Sequence, residues 1–287
     1  MRWPPPHDWP HAALSRQVMC RPHRWHVQET GRGPTILLLH GAGGSTHTYR
    51  GLIPHLARTY HIVALDLPGQ GFTQLGARHR CGLDAITEDI CRLCQQEGWH
   101  PHAIVGHSAG GALALTLAQA LRSDQGEPPL IVGINPALDT FDGIAGVLFP
   151  AIAKLLAAVP FSAGVFSTIS SSPTRVQALI RSTGSELDTT GLAQYRKLVA
   201  DRDHVDGTLL MMAQWSLTDL ISALPDITAK TCFITGEKDG TVPPRVAHDA
   251  AQKMPNATVV NLARYGHLVH EEDPATVAKH ILDVLLP

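Results

Sequence analysis

Gly106-His107-Ser108-Ala109-Gly110 follows the apolar run Ala103 to Val105 and precedes a helix-like stretch, Gly111 to Leu121. A serine between small residues at a strand-to-helix turn is held with its hydroxyl lifted above the end of a sheet, which is the nucleophile elbow arrangement. Gly106 and Gly110 permit a sharp turn that bulkier residues would obstruct, while His107 and Ala109 flank the serine directly. The pentapeptide alone recurs by chance in many chains. The expectation that Ser108 is a nucleophile therefore leans on three further segments.

Thr35 to Leu39 is a short apolar run ending in His40-Gly41-Ala42-Gly43-Gly44, which reads as a buried strand and a glycine-rich turn. Free backbone amides in such a turn can face a developing oxyanion. One donor is expected from Ala109, after the nucleophile, and the second from Ala42, in a loop shaped by His40, Gly41 and Gly43. A plain turn and a phosphate nest are the alternatives, but no Lys with Ser or Thr follows the glycines at P-loop spacing.

Thr231 to Thr235 is another apolar run, ending in Gly236-Glu237-Lys238-Asp239-Gly240. Asp239, at the tip of the turn, is the candidate acid that would fix the tautomer of a histidine base, with Glu237 the weaker choice inside the turn. The base candidate is His267, after the alternating run Thr258 to Leu262 and behind Gly266, which suits a loop threading close to the elbow. His270 competes. It is followed by Glu271, Glu272, Asp273 and Pro274, a cluster that reads as the cap of a final helix. The order Ser108, Asp239, His267 is that of a serine triad on a strand-turn-helix elbow.

Bulk properties narrow the choice. The chain has 287 residues, enough for a large core, and a net charge of −2 with an isoelectric point near 6.8, so no basic stripe stands ready for nucleic acid. Met1 to Asp8 carry no apolar core of signal-peptide length, and the five cysteines are odd in number; both lead to the expectation of a cytoplasmic protein with free thiols. Cys91 and Cys94 form a CxxC near Cys81, His79, His100 and His102. The pair falls within a helical stretch from about Leu83 to Gln96, where buried helix cysteines are the simpler reading and no metal is expected. Seventeen histidines are scattered through the chain, and the others receive no role.

Alternating strand and helix signals run through two blocks. Strands are expected at His23 to Gln28, Thr35 to Leu39, His61 to Asp66, Ala103 to Val105, Leu130 to Asn135, Thr231 to Thr235 and Ala257 to Leu262, with a closing helix from Pro274 to Leu286. Continuous apolar strands between helices indicate an α/β fold with a mostly parallel sheet covered on both faces. Residues 1–135 and 227–287 are thus read as the core and 136–226 as an inserted helical cap. The run Ile144 to Phe161 is nearly uncharged, but Lys154 and two prolines interrupt it, so it is read as cap helices lining an apolar pocket or touching a membrane surface rather than as a span. Met211, Met212 and Trp215 suit either core packing or a wide, adaptable pocket.

Together these residues resemble the α/β-hydrolase superfamily over almost the whole chain, which implies an eight-stranded sheet. The turn Asp66-Leu67-Pro68-Gly69-Gln70-Gly71-Phe72 matches the family's turn after the fourth strand, with Gln70 where histidine is common, a departure expected to leave the chemistry untouched. A closer resemblance runs through Arg24 to Gln28, Asp66 to Thr73, Thr183 to Ser185, Met211 to Trp215 and Gly266 to Glu272, to the magnesium-chelatase accessory proteins of bacteriochlorophyll biosynthesis. It implies Ser108, Asp239 and His267 as triad, Ala42 and Ala109 as amide donors, and a setting in tetrapyrrole metabolism.

Two function classes follow. One is a serine hydrolase, with no cofactor, acting on a small lipophilic ester that could be a tetrapyrrole; the same triad also serves carbon-carbon hydrolysis, whereas dehalogenation and epoxide opening normally need aspartate at the elbow. The other is a porphyrin-binding protein or a partner of a magnesium-chelatase subunit, with the triad secondary.

Overall fold

The computed structural model describes residues 1–139 and 172–286 of the chain. Its apolar runs form one eight-stranded sheet from β1 (Ser15–Cys20), β2 (His23–Thr30), β3 (Thr35–Leu39), β4 (His61–Leu65), β5 (Ala103–His107), β6 (Leu130–Ile134), β7 (Thr231–Gly236) and β8 (Ala257–Leu262). The strand order is β1-β2-β4-β3-β5-β6-β7-β8. β2 runs antiparallel to β1 and β4, and the remaining pairs are parallel. All seven expected strands are present. β1 was not anticipated: Arg16 and Gln17 dilute its alternation, and as an edge strand it buries only Val18 and Cys20.

The two-residue period of the central strands divides their side chains between two cores. Leu37, Leu39, Val63, Leu65 and Ile104 join the core that includes the helices Leu83–Glu97 and Ala109–Ala120. Ile36, Leu38, Ile62, Ala64 and Val105 face the other, closed by Val277 and Ile281 of the helix Pro274–Leu285. Both faces are buried, which is why these strands read as unbroken apolar runs.

In the helix Leu83–Glu97, Ile86, Ile90, Leu93 and Cys94 are buried at helical spacing, and Gly98, at φ 69°, ends it in a left-handed turn. Cys94 belongs to the core and Cys91 packs against it. Burial pushes both thiols up. Among the described residues all five cysteines are free, and no group of three or more His, Cys, Asp or Glu could hold a metal ion.

Between β6 and β7 the described residues form the helices Pro173–Ser182, Thr189–Ala200, Arg202–Gln214 and Thr218–Ala223. Ser172, Asp188 and Asp201 cap the first three by accepting from Arg175, Gly191 and His204 amides. A third apolar cluster joins Trp9 and Phe72 to Val176, Ile180, Tyr195 and Leu198 of these helices, and to Leu268, the residue after His267. Met211 is buried in the main core, whereas Met212 is exposed. The run Ile144 to Phe161, with the pocket lining and membrane-surface contact expected of it, lies outside the described residues. Among the described residues no helix is long and apolar enough to cross a membrane.

Candidate active site

The parallel strands deliver their loops to one edge of the sheet: β3 leads into His40–Gly44, β5 into Ser108, β6 into Asn135, β7 into the Asp239 turn and β8 into the His267 loop. Ligands of open α/β sheets bind at this carboxyl edge.

Ser108 adopts φ 54° and ψ −117°, a conformation that costs a non-glycine residue about 1–3 kcal/mol. Its amide donates to Ile134 O (2.9 Å), and its carbonyl accepts from Gly111 N (2.9 Å) and Ala137 N (3.0 Å), so the strained turn is held from both sides. A Cβ on Gly106 would lie 2.0 Å from Gly110 O, and one on Gly110 would lie 2.0 Å from Leu39 O; the two flanking glycines are where the backbones crowd. The Ser108 side chain is half-buried and, among the described residues, has no hydrogen-bond partner.

His267 Nδ1 donates to Asp239 Oδ2 at 2.7 Å. The other carboxylate oxygen, Oδ1, accepts from Thr241 N (2.7 Å) and Val242 N (2.8 Å), which locks the carboxylate plane. Asp239 is buried at the tip of its turn, while Glu237 is exposed. His270 does not reach Asp239. Its ring is buried between His107 (4.4 Å between centroids) and Tyr49 (5.5 Å), with neither nitrogen bonded among the described residues. Burial pushes the His270 ring down to about 3.

The cap expected over residues 271–274 is only partly a cap. Asp273 does cap the helix Pro274–Leu285, accepting from Thr276 N at 3.0 Å. Glu271 and Glu272 instead turn inward, Glu271 to Arg50 and to the Tyr195 hydroxyl (2.7 Å), Glu272 to Ser185 Oγ (2.8 Å) and Gly266 N (2.9 Å). The loop does run beside the elbow, since His267 O lies 2.9 Å from His107 Nε2, while the close backbone approach at Gly266 itself is to Gly184.

Three residues that the sequence left without a role hold the loops that carry His267 and Ala42. Asn135 Nδ2 donates to Gly266 O (3.0 Å) and His267 O (2.8 Å), while its Oδ1 accepts from Gly236 N (2.8 Å). His204 Nδ1 accepts from Gly71 N (3.0 Å), which leaves the proton on Nε2 to donate to Gly43 O (3.2 Å). Gln70 accepts from Gly43 N at 2.7 Å through Oε1 and donates to Met211 Sδ at 3.0 Å. Gln70 thus fixes the peptide next to Ala42, the candidate oxyanion donor. Asp66 anchors the same turn, accepting from Thr46 N (2.7 Å), Phe72 N (2.7 Å) and His26 Nδ1 (2.6 Å). Burial works to raise its carboxyl, but His26, His40 and the Phe72 amide outweigh that and hold it well below the usual carboxylate range.

His40 donates from Nδ1 to Gly41 O (2.7 Å) and accepts from Leu67 N (2.9 Å), closing the loop that carries Ala42. Gly41 abuts the elbow, since a Cβ there would come within 2.9 Å of Ser108 Cβ. Among the described residues the Ala42 and Ala109 amides have no internal acceptor. His107 donates from Nε2 to His267 O (2.9 Å) and packs on the His267 ring at 4.7 Å. Burial, with His270 and His267 close by, pushes the His107 ring well below its ordinary range, so it works as a neutral donor. A cavity of about 530 Å³ lies beside the Asp239 turn, lined in part by Leu138, Ile221, Val242 and Val246, but Ser108, Ala42 and His267 do not border it.

Since Gln70 is the acceptor for Gly43 N, Gln70→Ala loosens the His40–Gly44 loop at one of its several bonds without removing either candidate oxyanion amide. The expected result is a loss of about 10-fold in kcat on a p-nitrophenyl ester with KM little changed, below the 10²- to 10³-fold typical of deleting a donor outright. An unchanged kcat would separate Gln70 from the loop's placement.

Comparison with known proteins agrees with this architecture. The chain is 43% identical over 282 residues to the magnesium-chelatase 30 kDa subunit of Rhodobacter capsulatus, covering 98% of this chain and 97% of that one. It is 27% identical over 244 residues to a pimeloyl-[acyl-carrier protein] methyl ester esterase of Xanthomonas oryzae pv. oryzae, covering 84% and 91%. An α/β-hydrolase fold protein from Burkholderia ambifaria superposes with a TM-score of 0.77 at 20% identity, covering 94% of this chain and 97% of that one. Residues 34–274 match the model of the alpha/beta hydrolase fold. On the sheet order, the elbow and that match, the chain belongs to the α/β-hydrolase fold family.

Proposed function

We propose that the protein is a serine hydrolase acting on a lipophilic ester, with Ser108 as nucleophile, His267 as base, Asp239 as acid and the Ala42 and Ala109 amides as oxyanion donors. The observation that carries this reading is the buried 2.7 Å contact from His267 Nδ1 to Asp239 Oδ2, at the strand edge where Ser108 stands in a strained turn. With its Nδ1 proton committed to Asp239, His267 presents an unprotonated Nε2 to take the Ser108 proton. The alkoxide attacks the ester carbonyl, the two amides hold the oxyanion, and the alcohol leaves with the proton from His267. Water, deprotonated by the same histidine, then releases the acid and restores Ser108. Each amide contributes about 3 kcal/mol to the transition state in comparable sites. Residues 136–226 act as the lid that selects the substrate.

The relative described as a methyl ester esterase supports an ester, and the relative described as a magnesium-chelatase subunit supports a tetrapyrrole setting. The second of these also favours another reading, in which the protein binds porphyrin or a chelatase subunit and the triad is secondary. Fluorophosphonate labelling, with and without magnesium protoporphyrin monomethyl ester, followed by peptide mass mapping, decides between them. Labelling at Ser108 that the porphyrin suppresses supports a tetrapyrrole ester hydrolase; labelling that it leaves unchanged keeps the hydrolase and removes the tetrapyrrole. Absence of labelling overturns the hydrolase and leaves the binding role.

A further inference from the structure

The helix Pro173–Ser182 ends because Gly184 takes φ 80°, and the three residues that leave it run between the acid turn and the base loop. Thr183 O accepts from Gly240 N at 3.0 Å and from His267 N at 3.1 Å, so one carbonyl bridges the residue after the acid and the base itself. Gly184 fits between them with no room for a side chain: a Cβ there would lie 1.7 Å from Lys238 O, and one on Gly266 would lie 2.2 Å from Gly184 C. Ser185, fully buried, accepts from Leu268 N through Oγ (2.8 Å) and donates to Glu272 Oε2 (2.8 Å). The same Glu272 oxygen accepts from Gly266 N (2.9 Å), and Oε1 accepts from Glu186 N (3.2 Å). The peptides on both sides of His267 are thus tied to a segment that belongs to neither catalytic loop.

We propose that Thr183–Ser185, with Glu272, is a strap that sets the alignment of His267 on Asp239, making Ser185 and Glu272 positioning residues for the base. The proposal rests on the reading of Ser108, Asp239 and His267 as nucleophile, acid and base. A shift of about 1 Å in a reacting group can cost 10²-fold. The helical segment between β6 and β7 therefore governs reactivity as well as access, because any movement of it that carries Thr183 away releases His267.

The test compares wild type, Ser185→Ala, Glu272→Ala and Glu272→Gln. The last keeps an oxygen acceptor for Ser185 and Gly266 N. Two readouts are followed on each: the pH profile of the fluorophosphonate labelling rate at Ser108, and the low-field proton resonance of His267 Nδ1. The expected result is a labelling rate about 10- to 100-fold lower in Ser185→Ala and Glu272→Ala, with a displaced base limb and a broadened or lost low-field proton. Glu272→Gln is expected to stay within about 3-fold of wild type. If Ser185→Ala fails to fold, Ser185→Cys, similar in volume but a far weaker hydrogen-bonding group, carries the comparison. Equal labelling rates and an unchanged low-field proton in folded variants would overturn the strap. Absence of labelling in wild type would instead overturn the hydrolase reading, and the proton resonance would still judge the strap by itself.

Discussion

Asp239→Asn is expected to lower ester turnover by about 10⁴-fold while leaving the fold and the thermal midpoint nearly unchanged. The two amides of Thr241 and Val242 already claim Oδ1, so an asparagine at this position keeps its carbonyl oxygen there and turns its NH₂ toward His267. The imidazole must then accept at Nδ1 and carry its proton on Nε2, which leaves the ring no lone pair with which to take the serine proton. The geometry survives and the tautomer is wrong, which is why the loss falls on kcat rather than on stability or KM. Ester hydrolysis and Ser108 labelling measured on the purified variant decide it. A loss of less than about 10-fold would mean that Asp239 does not act as the acid.

The second large effect is on stability in acid. His40, His47, His107, His204 and His270 are buried, and burial pushes each ring below its ordinary range, His204 to about 4 and His270 to about 3. Each stays neutral in the folded chain but takes a proton near pH 6.5 once unfolded. Between these values the unfolded state binds more protons, so stability is complete above about pH 6.5 and is lost as the pH falls toward the folded values. Each histidine contributes a slope of up to about 1.4 kcal/mol per pH unit. Glu271 works in the opposite direction, since burial raises its carboxyl to about 7 despite Arg50, so it favours folding at the acid side of the window. One group opposes five. Urea midpoints taken from pH 7.5 to 5 are expected to drop by an amount worth several kcal/mol, large against the roughly 5–15 kcal/mol of a typical domain. A flat series would show that these rings find protons or water in the folded state.

Local signals were the legible ones. The elbow, the acid turn and the oxyanion loop each depend on residues within a few positions of a strand end, so strand, glycine and catalytic candidate lie together in the sequence. The supports of that site are not local. Gly43 N reaches Gln70 across 27 positions, Leu268 N reaches Ser185 across 83, and Gly71 N reaches His204 across 133. Nothing about an isolated histidine in the helix Arg202–Gln214 announces that its two nitrogens will join two separate turns of the core. The same limit explains Glu271 and Glu272: a run of acids before a proline reads as a helix cap until Arg50, Tyr195 and Ser185 are brought against it. β1 was missed for the opposite reason, because a half-exposed edge strand needs little apolar character.

The double acceptor at Thr183 also bears on how this scaffold could diversify. In a fold whose lid touched the core only through side chains, lids could be exchanged between relatives and the chemistry would survive. Here the helical segment between β6 and β7, proposed above as the lid, supplies a backbone carbonyl to both Gly240 N and His267 N. On the proposed function, a transplanted lid would inactivate the host unless it brought an equivalent left-handed turn at the same height, and substrate range and catalytic competence would be inherited as one unit.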